Sequence, residues 1–172
     1  MLSIEQKLEY YKKGLLSNQE MADTLQKLGE SPLLNRSTVQ TDLLLLMSNP
    51  DPVLRYNAIG ALAYHGLSFD WGNEFGKQLL SALDVMLRMD EDQDCRRQAA
   101  GALGSLFKCA GDQQVINALA RVCLNEEEFD DVRAFAYTAV LSVKCVPFSD
   151  QPNPVGFQLG SRELEDARHS IE

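Results

Sequence analysis

Catalysis needs a nucleophile, a base and an orienting group that can converge on one point, and this sequence supplies few of them. His65 and His169 are its only histidines. His65 follows Tyr64 near the end of a helical pattern, which suits a ring packed against terminal carbonyls, and His169 lies in a polar segment where solvation is expected. No HExxH, GxSxG, GxGxxG or phosphate-cradling GxxxxGKS/T is present. The expectation is a protein with no catalytic residue, no metal and no cofactor. Cys95, Cys109, Cys123 and Cys145 stand singly in apolar helical patterns, so they are expected to be buried free thiols rather than a disulfide or metal framework.

The carboxylates are more suggestive. Asp51, then Asp90, Glu91, Asp92 and Asp94, then Glu126, Glu127, Glu128, Asp130 and Asp131 each fall just before or at the start of a helical pattern. Acids there satisfy free N–H groups and complement the helix dipole. Capping uses only one or two, however, and the second and third clusters hold a surplus. That surplus suggests an acidic docking edge, with Glu126, Glu127, Glu128 and Asp130 facing a basic protein.

Bulk properties agree with a protein partner. A net charge of −9 and a sequence pI near 4.7 repel phosphate backbones and anionic headgroups, so neither nucleic acid nor a membrane surface is expected. Residues 1–10 show no basic-then-apolar signal pattern, and the longest apolar run, 43–47, is far below the roughly 20 residues of a membrane span. A cytoplasmic protein is expected. Apolar residues at 45% and charged residues at 24% are the balance of a folded domain, and 172 residues fit one.

These groups need elements to position them, and the periodicity is helical throughout. Ser3-Ile4-Glu5-Gln6 and Ser17-Asn18-Gln19-Glu20 are capping boxes that predict helices over about 4–14 and 18–28. Further helices are predicted near 37–48, 73–89 and 112–125. Between them, 51–62, 92–103 and 129–140 superpose as copies of one unit. The first two share Arg, Ala, Gly, Ala and Leu in register. The third keeps Val132-Arg133, Ala136, Ala139 and Val140. Stripes of Leu54, Ala58, Ala61 and Leu62, of Cys95, Ala99, Ala102 and Leu103, and of Val132, Ala136, Ala139 and Val140 are the predicted core. Three prolines and two glycines between 147 and 160 predict an irregular tail, followed by a short helix or frayed end.

The pattern D-x-x-apolar-R-x-x-A-x-x-A-L/V resembles the second helix of a HEAT repeat. The resemblance covers about 37–146 and implies an all-α fold: a right-handed α-α superhelix of about three helical pairs, with 1–30 as N-terminal helical cap and 147–172 as tail of a single 1–172 domain. It further implies a ladder between Arg55, Arg96 and Arg133 and the motif acids Asp51, Asp92 and Asp130 or Asp131. In such stacks the second helices line the concave side, which would expose Tyr56, Arg97 and Tyr137 as an Arg between two aromatics. Phe69 and Trp71, in a linking loop, read as a core plug.

HEAT-like hydroxylases need His-Glu metal pairs, which neither histidine forms, and HEAT-like DNA glycosylases need a basic face. The function expected is therefore a non-catalytic protein-interaction module, in concrete form an adaptor or immunity-type inhibitor of a basic protein. The alternative is a small-molecule or chromophore-handling protein similar to the HEAT-like bilin lyases, with its pocket around Tyr56, Arg97 and Tyr137.

Overall fold

A computed structural model describes residues 2–27, 37–63 and 73–171. His65, Phe69 and Trp71 lie outside the described residues. Nine α-helices are found among those described, with no strand: α1 (Ile4–Lys12), α2 (Asn18–Gln26), α3 (Ser37–Leu46), α4 (Pro52–Ala63), α5 (Glu74–Met89), α6 (Gln93–Leu106), α7 (Gln113–Leu124), α8 (Asp130–Val143) and α9 (Ser161–His169). The all-helical expectation holds, and the chain falls into two compact units, Met1–Ala82 and Leu83–Glu172.

In the first unit both capping boxes form. Ser3 accepts from the Gln6 N–H while Gln6 accepts from Ser3, and Ser17 and Glu20 exchange bonds in the same way. α1 ends where Gly14 adopts φ 69°, letting the Leu15 N–H reach the Tyr10 carbonyl. α2 packs on α4, α3 on α4, and α1 on both α2 and α3. The N-terminal ends of α2 and α4 meet where Asn18 donates to Asp51 at 2.7 Å, and the C-terminal ends of α1 and α3 meet where Asn49 donates to the Tyr11 hydroxyl. Like ends therefore lie together, and the predicted cap α1–α2 packs as a helical pair of the same kind as α3–α4. Leu8, Met21, Leu25, Leu43, Leu54 and Leu62 are buried between them.

In the second unit α6 packs on α8, α7 on α8, and α9 against α7 and α8. Contacts of Gly101 with Phe135 and of Gly104 with Ala139 advance together along both chains, so α6 and α8 run parallel. All twelve residues of the predicted stripes on α4, α6 and α8 are buried. Small side chains at their centres permit this close approach, and shedding water from the flanking leucines and valines stabilises it by about 25 cal/mol per Å² of apolar area. The tail forms a single 3-10 turn, Phe148–Asp150, and then α9. Ala167 of α9 is fully buried, Gln113 donates to the Ser170 carbonyl and Lys144 to the Ser170 hydroxyl, so the C-terminus closes the end of the last repeat.

Two of the four cysteines depart from expectation. Cys95 and Cys123 are buried free thiols, and burial pushes the Cys123 thiol up to about 11. Cys109 and Cys145 are instead exposed and joined in a disulfide. They lie just past the C-terminal ends of α6 and α8, where the apolar helical pattern has already ended.

Candidate functional site

The motif arginines anchor the interhelical turns. Arg55 donates to the carbonyls of Asn49 and Pro50, Arg96 to that of Asp90, and Arg133 to that of Cys123. In each case a guanidinium at the start of a second helix satisfies carbonyl groups in the turn or helix end before it. Of the Asp–Arg ladder implied by the resemblance, the pair Arg133–Asp130 forms at 3.5 Å, beside these Arg–carbonyl bonds. The motif acids serve as caps, Asp51 for the Val53 N–H and Asp92 for the Cys95 N–H.

Glu128 leaves the expected acidic edge. Its carboxylate receives Nε and Nη2 of Arg96 at 2.7 Å each, with side chains only 9% and 12% exposed. This bidentate pair ties the start of α6 to the turn before α8, and its hydrogen bonds raise the Arg96 pKa further, against an opposing desolvation. Glu126, Glu127, Asp130 and Asp131 are exposed. Among them stands Phe129, at 58% exposure, with the Arg96 guanidinium 5.8 Å from its ring centre. Sequence reasoning passed over Phe129. The signal was an aromatic at the N-cap of α8, a position that favours Ser, Thr, Asp or Asn, and no side chain caps that helix.

Arg97 is half-buried on α6, paired with Asp94 at 2.9 Å and lying 3.9 Å from Asp131, with its guanidinium 5.5 Å from the Phe135 ring centre. Its aromatic neighbour in the second unit is therefore Phe135. Tyr137, expected in the open, is 8% exposed, because Phe157 of the tail stacks on it and its hydroxyl donates to Asp166 of α9 at 3.2 Å. Tyr56 is half-buried on α4, in the other unit. Ile59, Ala63, Ala100, Gly104, Ala134 and Leu141, at helical spacing from Tyr56, Arg97 and Tyr137, are all buried.

Helical pairs whose second helix opens with a turn-anchoring arginine are repeats of one structural unit, and the family profile for HEAT repeats matches residues 41–140. The chain belongs to the HEAT-repeat family. HEAT repeats generally mediate protein–protein interaction, and they build their surfaces from stacked pairs of this kind. No curated protein matches this HEAT-repeat chain. Among the described residues, no helix is long and apolar enough to cross a membrane, and no group of three or more His, Cys, Asp or Glu is placed to hold a metal ion.

Tail and last repeat together line a half-open pocket of about 550 Å³, bordered in part by Tyr137, Leu141, Gln151, Arg162, Glu163 and Asp166. It lies beside Tyr137, as the small-molecule alternative supposed, but it is bounded by the tail and holds neither Tyr56 nor Arg97.

Proposed function

We propose that this HEAT-repeat chain is a non-catalytic protein-binding module that docks a basic partner at the start of α8, as a cytoplasmic adaptor or immunity-type inhibitor. The observation that carries this reading is Phe129, an exposed ring with the Arg96 guanidinium over it and flanked in sequence by the exposed Glu126, Glu127, Asp130 and Asp131. A large apolar anchor inside a charged rim is the arrangement from which interface hot spots are built, and the rim selects lysine- and arginine-rich surfaces. Arg97, with Asp94 and Asp131 around it, extends the same surface.

The test is affinity capture from native lysate, followed by binding measurements on the captured protein at low and high salt. Phe129→Ala should weaken that complex about tenfold or more. Glu126→Lys with Glu127→Lys should weaken it and flatten its salt dependence. Equal affinity of all three forms would remove this surface from consideration.

The small-molecule reading is supported by the tail cavity. Its lining includes Asp150, Gln151, Arg162, Glu163 and Asp166, which favours a polar ligand over an apolar chromophore.

A further inference from the structure

The exposed disulfide sits where helix geometry gives cysteine no advantage. Cys109 has φ 59° and Cys145 φ 66°, the left-handed region in which a β-carbon is strained. Cys145 occupies the same place at the end of α8 that Gly14 occupies at the end of α1. In both, the following N–H reaches five residues back, Val146 to Leu141 and Leu15 to Tyr10. Glycine suits this position best, so what cysteine adds is the sulfur. Bonded, the two sulfurs clip together the C-terminal ends of the parallel helices α6 and α8, and Cys109 N–H and Gly111 N–H donate to the carbonyls of Ser142 and Val143 beside the clip.

The clip is continuous with the tail. Ser142, whose carbonyl accepts from both Cys109 and Cys145, donates its hydroxyl to Gln151, and Gln151 in turn donates to the Val146 carbonyl. Gln151 also lines the half-open pocket beside Tyr137. The other two cysteines are buried and far less available to a reagent in solution.

We infer that Cys109–Cys145 is a thiol–disulfide exchange site for low-molecular-weight thiols of the glutathione class, and that its opening loosens the turn at 144–151 that holds the tail. A thiolate attacks one sulfur of the pair, forming a mixed disulfide while the Cys109–Cys145 bond breaks and the partner cysteine leaves as a thiolate that takes up a proton. A second thiolate attacks the outer sulfur of the mixed disulfide and releases the second cysteine. The protein disulfide gains two electrons, and two small thiols become one small disulfide. Exposure of both cysteine residues sets this pair apart from a buried structural staple.

The full chain is incubated in glutathione buffers of graded redox ratio, quenched by alkylation, and mapped by mass spectrometry and amide hydrogen exchange. Cys109 and Cys145 should become labelled together and reversibly while Cys95 and Cys123 stay unlabelled, and exchange at 144–151 should accelerate about tenfold on reduction with α7 unchanged. The double variant Cys109→Gly, Cys145→Gly keeps both left-handed turns and should show the fast exchange at every redox ratio. Labelling of 109 and 145 only together with 95 and 123 would make global unfolding the gate and overturn the inference. So would a glycine variant whose 144–151 segment exchanges as slowly as the oxidised chain, or a pair that stays reduced in oxidised glutathione.

Discussion

Gly104 on α6 lies so close to Ala139 on α8 that a β-carbon at 104 would meet the Cα and Cβ of Ala139 at 2.8 Å. The obstacle is partly backbone, which cannot swing aside as a side chain can, so Gly104→Ala must push the parallel helices apart along a packed interface. Overpacking of this kind typically costs about 1–3 kcal/mol, more than the roughly 1 kcal/mol that alanine gains in helix propensity. At Gly101, one turn earlier, the nearest atom is a Phe135 ring carbon at 3.9 Å, an ordinary contact. Gly101→Ala should therefore leave stability unchanged or raise it by up to about 1 kcal/mol. Urea denaturation of the two variants makes the comparison, and a Gly104→Ala protein as stable as the parent would refute the close approach.

The Arg96–Glu128 pair supports a second prediction. Each partner is nearly hidden, so removing one leaves the other's charge desolvated without compensation. Arg96→Ala also removes the bond from Arg96 to the Asp90 carbonyl. Either Glu128→Ala or Arg96→Ala should cost about 2–4 kcal/mol, and the double variant much less than their sum. Double-mutant-cycle denaturation reads the coupling directly. Additive losses would place Glu128 back among the free acids of the docking rim.

Capping supplies a third. The Ser17 hydroxyl and the Glu20 carboxylate satisfy each other's backbone N–H groups at the start of α2, and hydrogen bonds to Ser17 hold the Glu20 carboxyl below its usual range. Ser17→Ala should destabilise the chain by about 1 kcal/mol, whereas Gly at the same position should lose only a few tenths. Thermal melts of both variants decide it, and equal losses would show that the side-chain cap contributes nothing.

Helix boundaries, the alanine stripes and both capping boxes were legible because each rests on neighbours in sequence: period, N-cap chemistry and glycine or proline stops. The partners of Tyr137 and Glu128 were not, because those residues pair with Asp166 and Arg96 across elements whose packing no local pattern encodes. The Cys109–Cys145 disulfide was half-visible. Lys108-Cys109-Ala110-Gly111 and Lys144-Cys145-Val146-Pro147 lie past the ends of consecutive second helices, which the repeat register alone brings together. Reading all four cysteines as helix interior hid the difference between these two and Cys95 and Cys123. Phe129 carried no periodic signal, because a residue at a helix N-cap precedes the apolar stripe that the period reveals.

Tyr137 yields a pH-dependent prediction. Burial, and next the negative Asp166 beside it, push its phenol up to about 12, against about 10 for a free tyrosine. The native state therefore holds this proton more tightly than the unfolded chain does. The stability so contributed is complete below about pH 10 and is lost as pH rises towards 12. Spectroscopic titration of tyrosinate should show a late step from Tyr137, close to the onset of alkaline unfolding. Tyr137→Phe should abolish that late step and, at neutral pH, cost about 0.5–1.5 kcal/mol for the lost bond to the half-exposed Asp166. If the late step survives in Tyr137→Phe, another tyrosine is the buried one, and Phe157 and α9 do not cover α8.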